Sequence, residues 1–406
     1  MRILFLTPQL PYPPEKGTAL RNWGLISNLA AEHEIAVLSF LDPGQSNERA
    51  GELREACRLE VVEPPVRTFH DRLWGVLAGR QPDMALRLAS DVYARRLLDW
   101  LRREPFDVVQ IEGIELARYL DTIEQAGTSS DRTNHPLVVF DDHNCEYVLQ
   151  ERTFLTDLYS PARWPAAAYS FVQWRRLRRY EARVCRRVDR VIAVSDADAR
   201  ALRRLVPRRE VTVIPNGIDT RVYAPEGARR RPSVQSIVFT GTMDFRPNVD
   251  AVLWFAGRVW PLIRAAVPDV HFTIVGQRPH RRLNALRQDA SITLTGWVED
   301  VRPFIADAAV YVAPLRMGGG TRLKVLEAMA LAKPVVATSL GAEGYPITDG
   351  REVVLADAPV EFAQAVVTLL RSPERGAELG ENARAFVERQ YDWRVIVPAL
   401  EHVYAT

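Results

Sequence analysis

The chain has 406 residues, of which 47% are hydrophobic and 26% charged, and its formal net charge is +2. This length exceeds the size at which one hydrophobic core usually stops growing, so we expect two domains. The small net charge argues against a nucleic-acid-binding protein, because such proteins carry a clear excess of positive charge. Three widely spaced cysteines, Cys57, Cys145 and Cys185, provide no disulfide framework and are typical of a reducing compartment.

The N-terminal apolar run, residues 2–7, is too short for a signal peptide and is typical of a buried first strand. No run of about 18 apolar residues occurs, so no membrane-spanning helix is predicted. We therefore expect a cytoplasmic protein, and peripheral contact with the inner face of a membrane stays open.

Short apolar runs alternate with helical patterns along the chain, which predicts two α/β domains with parallel sheets and helices on both faces. The strands predicted for the first half are residues 2–7, 34–40, 59–62, 107–111, 137–141 and 190–194. Those predicted for the second half are residues 211–214, 236–240, 270–275, 291–295, 309–313, 334–338 and 352–355. Each half resembles a doubly wound nucleotide-binding domain, so we expect a ligand at the carboxyl ends of strands from both.

The change of domain is predicted near residues 207–222, which assigns residues 1–207 to the first domain and 208–385 to the second. Residues 226–233 are rich in arginine and include glycine and proline, which is typical of a surface loop. No internal repeat is evident.

A proline-rich loop follows the first strand and ends at Gly17, just before an amphipathic helix. A glycine there lets a substrate or phosphate approach the helix N-terminus, with Lys16 or Arg21 adding positive charge. The alternative is an ordinary strand-to-helix turn, since any such turn tolerates a glycine.

Polar residues follow the strand at 137–141, where loops commonly carry binding groups. His143 is a candidate to contact a substrate hydroxyl or to assist proton transfer, and Asp142 and Asn144 are candidates on the acceptor side. The alternative is a structural histidine with satisfied hydrogen bonds. A nucleophilic role for Cys145 is disfavoured, because no orienting pattern surrounds it.

Arginine is concentrated between residues 163 and 209, a segment that contains 14 arginines and four acidic residues. Within this region, residues 170–190 form a predicted amphipathic helix with Leu177, Tyr180 and Val184 on one side. Such a helix suits an anionic membrane surface or an anionic acceptor. It equally suits a solvated arginine face whose apolar side packs on its own domain.

The pair Asp196 and Asp198 follows Ser195 at a predicted helix start. Serine at the cap and acids in the first turn are ordinary at this position, so we predict no metal there or elsewhere.

In the second half, Gly241 and Gly276 end predicted strands, and Arg246 lies close behind the first of them. Several glycine-terminated parallel strands on one edge suggest a shared ligand crevice. Trp297 or Val298, just after another strand, is a candidate to wall a nucleobase, although core packing is the alternative.

The segment 318–330 is the most informative, because it follows one apolar strand and precedes another. A helix opening at Thr321 would carry Arg322 and Lys324 in its first turn, where the helix dipole disfavours cations. With Gly319 and Gly320 offering backbone N–H groups, this arrangement suits a multivalent anion such as a phosphate. The alternative is an ordinary glycine-rich strand-to-helix turn whose two cations point into water. The spacing is not that of a Walker loop.

These motifs, with residues 213–219, 296–298 and 326–330, resemble the retaining glycosyltransferases of family four, which have the GT-B fold. The resemblance implies two Rossmann-like domains facing across a cleft, the first for the acceptor and the second for a nucleotide-diphospho-sugar. It also implies that the C-terminal helix, residues 386–406, packs back on the first domain.

The resemblance assigns roles to single residues. Glu327 matches the second carboxylate of the family's Glu-x7-Glu motif, which binds the ribose hydroxyls, whereas the first carboxylate falls at Gly319. The family's phosphate-binding Gly-Arg pair is also altered, since Thr242 follows Gly241. His143 resembles the active-site histidine near the donor sugar. Gly17 resembles the loop glycine near the donor phosphate.

The sequence thus predicts a metal-independent retaining hexosyltransferase, acting from a UDP- or GDP-sugar on a glycan or lipid-linked acceptor. Exopolysaccharide or cell-surface glycan synthesis is the expected setting, with no cofactor and no nucleic-acid partner. Two alternatives stay open. One is a catalytically impaired GT-B scaffold that binds nucleotides, and the other is a nucleotide-sugar epimerase of the same fold.

Overall fold

A computed structural model describes residues 1–14, 17–41, 45, 48, 50–68, 79, 81–128, 135–159, 161–225, 235–318 and 321–405. The chain divides into two compact units. Unit 1 comprises Met1–Pro215 and Ile396–Thr406, and unit 2 comprises Asn216–Val395. Each unit contains one sheet in which all paired strands run parallel.

Unit 1 is built on a seven-stranded sheet in the order β3-β2-β1-β4-β5-β6-β7. Its strands are β1 (Arg2–Thr7), β2 (Glu34–Phe40), β3 (Arg58–Val62), β4 (Val108–Glu112), β5 (Leu137–Asp142), β6 (Arg190–Ala193) and β7 (Val211–Val213). Its helices are α1 (Gly17–Leu29), α2 (Gly51–Ala56), α3 (Asp83–Arg87), α4 (Asp91–Arg103), α5 (Leu120–Thr128), α6 (Glu146–Leu158), α7 (Trp164–Arg187) and α8 (Asp196–Leu205). The central strands are buried because helices cover both faces, which explains their nearly continuous apolar runs.

Unit 2 is built on a six-stranded sheet in the order β10-β9-β8-β11-β12-β13. Its strands are β8 (Ser236–Thr240), β9 (His271–Val275), β10 (Ile292–Leu294), β11 (Val310–Ala313), β12 (Val335–Ala337) and β13 (Val354–Leu355). Its helices are α9 (Arg246–Trp254), α10 (Trp260–Ala266), α11 (Arg302–Asp307), α12 (Leu323–Ala330), α13 (Pro359–Arg371) and α14 (Pro373–Gln390).

The boundary between the units falls at Pro215 and Asn216, inside the predicted range 207–222 but after residue 207, the predicted end of the first domain. The strand predicted at 211–214 was grouped with the second half, but β7 pairs with β6 at the edge of the first sheet. Unit 1 therefore extends to Pro215 rather than to residue 207. The cause is tertiary, because a short apolar run carries no mark of the sheet that it will join. The predicted loop at 226–233 lies outside the described residues.

The last helix, α15 (Trp393–Ala405), begins in unit 2 and continues as part of unit 1 from Ile396. The return to the first unit thus starts at residue 396 rather than at 386, since α14 belongs to unit 2. Before the return, Asp392 accepts hydrogen bonds from the backbone N–H (3.3 Å) and hydroxyl (2.5 Å) of Thr220. Across the described residues, every helix is too short or too polar to span a bilayer.

The arginine-rich segment forms the 24-residue helix α7. Its apolar stripe, including Leu177, Tyr180 and Val184, is buried in the core of unit 1. Arg187 forms ion pairs with Asp121 (2.6 Å) and Glu124 (2.8 Å). For this stripe the structure therefore supports the reading of a helix packed on its own domain.

Candidate functional site

Polar residues collect at the point where each sheet reverses its strand order, which is the usual ligand position in such folds. In unit 1 the reversal lies between β1 and β4. His143 follows β5, the neighbour of β4, by one residue. In unit 2 the reversal lies between β8 and β11, and Gly241 follows β8 directly.

In unit 1, His143 is held by a buried carboxylate. Its Nε2 lies 2.5 Å from Oε2 of Glu112, the last residue of β4 and fully buried. The adjacent Gly113 has φ +87°, and a Cβ there would lie 3.7 Å from His143 Nδ1 and 3.3 Å from Glu115 Oε2. Glycine at this turn therefore leaves space beside the imidazole.

Glu112 is itself oriented by a chain of hydrogen bonds. Gln110 Nε2 donates to its Oε1 (2.6 Å), and the hydroxyl of Tyr404 on α15 donates to Gln110 Oε1. Asn22 on α1, with its amide oriented to donate, lies 2.8 Å from Glu112 Oε2. The last helix of the chain is thus connected to His143 through three side chains within unit 1.

This environment raises the pKa of His143. Burial alone would lower it, but the hydrogen bond and charge of Glu112, followed by the charge of Asp141, outweigh burial. The imidazole therefore holds its second proton to a higher pH than an exposed histidine does. Held in this way, it is suited to donate a hydrogen bond to a ligand oxygen or to carry a proton.

Arg21, predicted on the acceptor side, has a structural position. It is 2% exposed, and its Nε (3.0 Å) and Nη2 (2.7 Å) both donate to Asp141 Oδ2. It also donates to the carbonyls of Ile214 (3.0 Å) and Pro215 (2.9 Å). Arg21 therefore links β5 to Ile214 and Pro215, the last residues of unit 1 before the chain enters unit 2.

A cavity of about 250 Å³ opens beside the imidazole, and we call it the histidine pocket. Its walls include Pro8, Gln9, Thr18, Arg87, Gly113, Glu115, Asp142, His143, Asn144 and Glu146. The predicted residues Asp142, His143 and Asn144 are therefore brought together, whereas Arg21 lies outside the walls. Gly17 is the exposed first residue of α1, and Lys16 lies outside the described residues.

The pocket is rich in carboxyl groups. Burial, then the charges of Glu115 and Glu181, raise the pKa of Glu146 to about 8, so this side chain is largely protonated at neutral pH. Neutral carboxyl groups can both donate to and accept from hydroxyl groups. The pocket therefore suits a polyhydroxylated ligand better than an anion.

Among the described residues of unit 1, two groups have the composition of a metal site: Glu112 with Asp141 and His143, and Asp142 with Cys145 and Glu181. In the first group, each side chain already takes part in the hydrogen bonds described above. In the second, Glu181 accepts from the backbone N–H groups of Glu146 and Tyr147 (3.0 Å each) and so caps α6. Burial raises the pKa of the Cys145 thiol, which disfavours the thiolate that metals bind.

At the predicted helix start in unit 1, Ser195 accepts a hydrogen bond from the backbone N–H of Asp198 (3.2 Å). This cap confirms the interpretation of Ser195 and the two acids as helix-start residues.

In unit 2, the ends of β8 and β9 approach so closely that only glycine fits. A Cβ on Gly276 would lie 1.7 Å from the carbonyl oxygen of Gly241. A Cβ on Gly241 would lie 2.6 Å from Lys324 Nζ and 2.7 Å from Asn248 Nδ2. Gly241 therefore makes room for the ammonium group, which donates to Asn248 Oδ1 (2.7 Å) and lies 4.6 Å from the centre of the Phe239 ring.

Two cations lie at the start of α12, and we call Arg322 and Lys324 the cation site. The helix begins at Leu323 rather than at Thr321, so Arg322 is its N-cap and Lys324 lies in its first turn. Arg322 Nε donates to the carbonyl of Leu340 (3.4 Å), and Thr321 accepts from Asn216 Nδ2 (2.6 Å). Gly319 and Gly320 lie outside the described residues.

The pKa of Lys324 falls to about 7. Burial is the main cause and the nearby charge of Arg322 the second, while Glu327 partly opposes them. An anion placed beside this buried ammonium group would stabilise its charged form. The helix N-terminus adds free N–H groups to the same place.

Glu327 lies one turn further along α12. It accepts a hydrogen bond from the hydroxyl of Tyr223 (3.3 Å), and burial raises its pKa. Its side chain is only partly buried, so it remains available to a ligand hydroxyl.

Other predicted residues of unit 2 lie on neighbouring loops. Trp297, three residues after the end of β10, is 69% exposed, so its ring is accessible. Val298 packs partly against the core around α12. Arg246 is the exposed first residue of α9, the helix that carries Asn248.

Sequence reasoning missed Glu112, Asn248 and Tyr223. Glu112 is an acid at the end of an apolar strand, and that pattern alone was a usable signal. Asn248 and Tyr223 are distant from Lys324 and Glu327 in the chain, and the sequence carries no mark of those contacts.

Two family models match the chain. The model described as Glycosyltransferase Family 4 matches residues 17–222, half of the chain, and the one described as Glycosyl transferases group 1 matches residues 234–372. The two matches divide the chain close to the boundary between the units.

Curated relatives match over part of their length. A phosphatidyl-myo-inositol mannosyltransferase from Mycobacterium leprae (strain TN) is 31% identical over 226 residues, which cover 53% of this chain and 58% of that protein. An uncharacterised 44.6 kDa protein in the cps region of Klebsiella pneumoniae is 25% identical over 173 residues, covering 41% and 45%. The chain spans about half the length of the curated relatives it matches.

Solved structures match along the whole chain. Alr3699/HepE from Anabaena, in complex with UDP and glucose, superposes with a TM-score of 0.68 at 16% identity, covering 100% of both chains. A sucrose-phosphate synthase from Thermosynechococcus elongatus reaches a TM-score of 0.72 at 16% identity, covering 100% of this chain and 98% of the other. With the two parallel-sheet units, these likenesses show the GT-B fold.

Proposed function

The chain belongs to glycosyltransferase family 4, and we propose that it transfers a sugar from a nucleotide-diphospho-sugar to a hydroxyl group of an acceptor. The donor is a UDP- or GDP-sugar, the acceptor is a glycan or a lipid-linked saccharide, and the anomeric configuration is retained. The setting that we propose is exopolysaccharide or cell-surface glycan synthesis.

The cation site carries this proposal. Lys324, with its pKa of about 7, and Arg322 lie together at a helix N-terminus, an arrangement that costs stability unless an anion compensates it. A diphosphate supplies two linked negative charges, and Glu327 at the next turn is placed to accept from ribose hydroxyls. The exposed ring of Trp297 is suited to stack on the base. Together these groups fit the parts of a sugar nucleotide.

The histidine pocket supplies the acceptor half of the proposal. Its carboxyl-rich walls favour a neutral polyhydroxylated ligand over a phosphate, which separates its role from that of the cation site. Because its pKa is raised, His143 is placed to donate a hydrogen bond to a sugar oxygen. The name of the Mycobacterium leprae relative refers to phosphatidyl-myo-inositol, which favours a lipid-linked acceptor.

In the reaction, the bond from the anomeric carbon to the diphosphate oxygen breaks, and a bond from that carbon to the acceptor oxygen forms on the same face. The acceptor proton passes to the leaving diphosphate. Lys324, Arg322 and the α12 N-terminus neutralise the charge that develops there, as preorganised electrostatic stabilisation requires. These groups replace a divalent ion, so we propose that transfer is independent of metals.

A screen of UDP-, GDP-, ADP- and dTDP-sugars by thermal shift tests the donor. One sugar nucleotide should raise the melting temperature selectively, because a ligand that binds only the folded state stabilises it by mass action. The wild type should then release the nucleoside diphosphate in the presence of a suitable acceptor and excess EDTA.

Lys324→Ala separates phosphate recognition from base recognition. Losing one charge-assisted hydrogen bond should weaken binding of the nucleoside diphosphate by about 10- to 100-fold, while the nucleoside alone should bind with unchanged affinity. Equal losses for both ligands would contradict the cation site. Binding without turnover over a broad acceptor panel would favour the scaffold, and turnover that EDTA abolishes would contradict metal independence.

A further inference from the structure

Among the described residues of unit 1, exposed apolar side chains are concentrated at one place. Six large ones lie within residues 155–171, at the end of the hairpin formed by α6 and α7, and we call them the hairpin tip. They are Leu155, Leu158, Tyr159, Trp164, Tyr169 and Phe171. Tyr159 is 91% exposed and Trp164 is 59% exposed. Neither the histidine pocket nor the cation site uses any of them.

The tip is not a frayed end, because aromatic contacts hold it. Phe171 packs against Phe154 (ring centroids 5.3 Å apart) and against Trp174 (5.7 Å). The indole N–H of Trp164 donates to the carbonyl of Leu158 (3.4 Å), which links α7 to the end of α6. The exposed rings are therefore presented on a built surface.

Positive charge continues from the tip along the same face of α7. Trp164, Phe171, Arg175 and Arg178 follow one another at spacings of about seven, four and three residues, which places them on one side of a helix. Arg175 and Arg178 are exposed. The opposite side of α7 is the buried one that carries Leu177.

Negative charge near the tip is small. Residues 151–179 contain six arginines and two acidic residues. One of those acids, Asp157, is buried and forms an ion pair with Arg163 (3.1 Å). The surface thus combines exposed tryptophan and tyrosine with the exposed Arg175 and Arg178, a pairing typical of the boundary of an anionic bilayer.

We propose that the hairpin tip docks on an anionic membrane surface, with its aromatic and leucine side chains at the level of the lipid headgroups. Arg175 and Arg178 then lie against the lipid phosphates. This places the membrane contact at the tip and not along the whole segment 170–190, whose apolar stripe is buried.

This membrane contact extends the proposed function, because it would bring the enzyme to a lipid-linked acceptor. Only that role, and not the contact itself, rests on the proposed function. Helix α6 starts at the histidine pocket, where Glu146 is part of the wall, and ends at the tip. Its 13 residues span roughly 20 Å at 1.5 Å per residue. An acceptor whose lipid stays in the bilayer must therefore bridge about that distance with polar saccharide or phosphate units.

Co-sedimentation with vesicles tests the surface without any sugar transfer, so its failure is distinguishable from failure of the proposed function. The full chain should sediment with vesicles of 70% phosphatidylcholine and 30% phosphatidylglycerol, and much less with phosphatidylcholine alone. Tyr159→Ser/Trp164→Ser should lower the partition coefficient by about tenfold or more, because two large apolar groups are lost. Leu262→Ser/Val360→Ser, which removes two exposed apolar groups from unit 2, is the matched control.

Charge is tested in the same assay. Arg175→Glu/Arg178→Glu should weaken binding strongly at low salt, whereas Arg258→Glu/Arg287→Glu on unit 2 should not. Absence of binding to anionic vesicles at low salt would overturn the proposal. So would binding that both tip variants leave unchanged, or a tip-dependent dimer in gel filtration, which would make the tip a protein interface.

A fluorescent probe locates the contact. The native cysteines are all buried, so a new cysteine at Tyr159 is the preferred site for a polarity-sensitive dye. The emission of Tyr159→Cys labelled in this way should shift to the blue with anionic vesicles, and that of labelled Val360→Cys should not. A shift only at residue 360 would overturn the assignment.

Discussion

Units 1 and 2 share an architecture and differ in the charge that each places at the carboxyl edge of its sheet. In unit 1 that edge carries Glu112 and Asp141 beside one imidazole, with Glu146 in the wall of the pocket. In unit 2 it carries Arg322 and Lys324 beside a helix N-terminus. The shared fold therefore sets only where a ligand can bind, at the carboxyl edge of the sheet. The loop residues determine whether that ligand is rich in hydroxyl groups or anionic.

The largest effect should separate the two units by function. His143→Ala should lower kcat by about 10²- to 10³-fold, since it removes the preorganised hydrogen-bond donor to the sugar oxygen. It should leave the affinity for the nucleoside diphosphate within about twofold, because the cation site keeps all its groups. Steady-state kinetics and calorimetric titration measure the two quantities. His135→Ala, at an exposed position, is the control. Loss of nucleotide affinity in His143→Ala would remove the proposed division of roles.

A smaller effect concerns pH and belongs to unit 2. In the free protein, burial and Arg322 hold the pKa of Lys324 at about 7, and a bound diphosphate would raise it. Binding then takes up a proton above pH 7, so affinity for the sugar nucleotide should fall by up to about tenfold per pH unit from pH 7 upward. Below pH 7 the ammonium is charged with or without ligand, and affinity should level off.

Lys324→Arg is the matched variant for this pH test, because a guanidinium stays charged over the whole range. Its titration curves between pH 6 and 9 should be flat, whatever its affinity. A slope as steep as that of the wild type would assign the proton to another group.

The smallest effect tests the link from the last helix to the imidazole of unit 1. Tyr404→Phe leaves the buried Gln110 Oε1 without its hydroxyl donor and should destabilise the protein by about 1–3 kcal/mol. Because Gln110 still donates to Glu112, kcat should fall by less than about threefold. Urea unfolding and kinetics measure both, with Tyr12→Phe, whose hydroxyl donates to the exposed Glu52, as control. A loss of kcat above tenfold would show that α15 positions His143 more directly.

Much of the fold was predictable because parallel strands buried on both faces are apolar throughout. The strands at 2–7, 34–40 and 236–240 have the bounds that the sequence predicts. The strand at 211–214 also exists, as Val211–Val213, but its sheet was assigned wrongly. Pairing depends on which neighbour is available in three dimensions, and a run of three residues does not encode that.

The candidate site was predictable where residues adjacent in the chain act together. Asp142 ends one strand, His143 and Asn144 follow it directly, and all three line one pocket. Arg21 shows the limit of this reasoning, because its charge suggested a ligand and the structure gives it Asp141 as a partner. The roles of Gly319, Gly320 and Lys16 stay predictions, since those residues lie outside the described part of the chain.

Two features are predictable from the amino-acid sequence alone. One is a pair of cations at the start of a helix that follows a glycine loop, and the other is a histidine that follows a buried strand. Both are local patterns, set by residues within one turn or one loop of each other. The contact of Glu112 with the imidazole, and those of Gly241 and Asn248 with Lys324, are visible only in the folded chain. Those contacts join residues from different elements, and the burial that shifts the pKa of Lys324 exists only once the elements have packed.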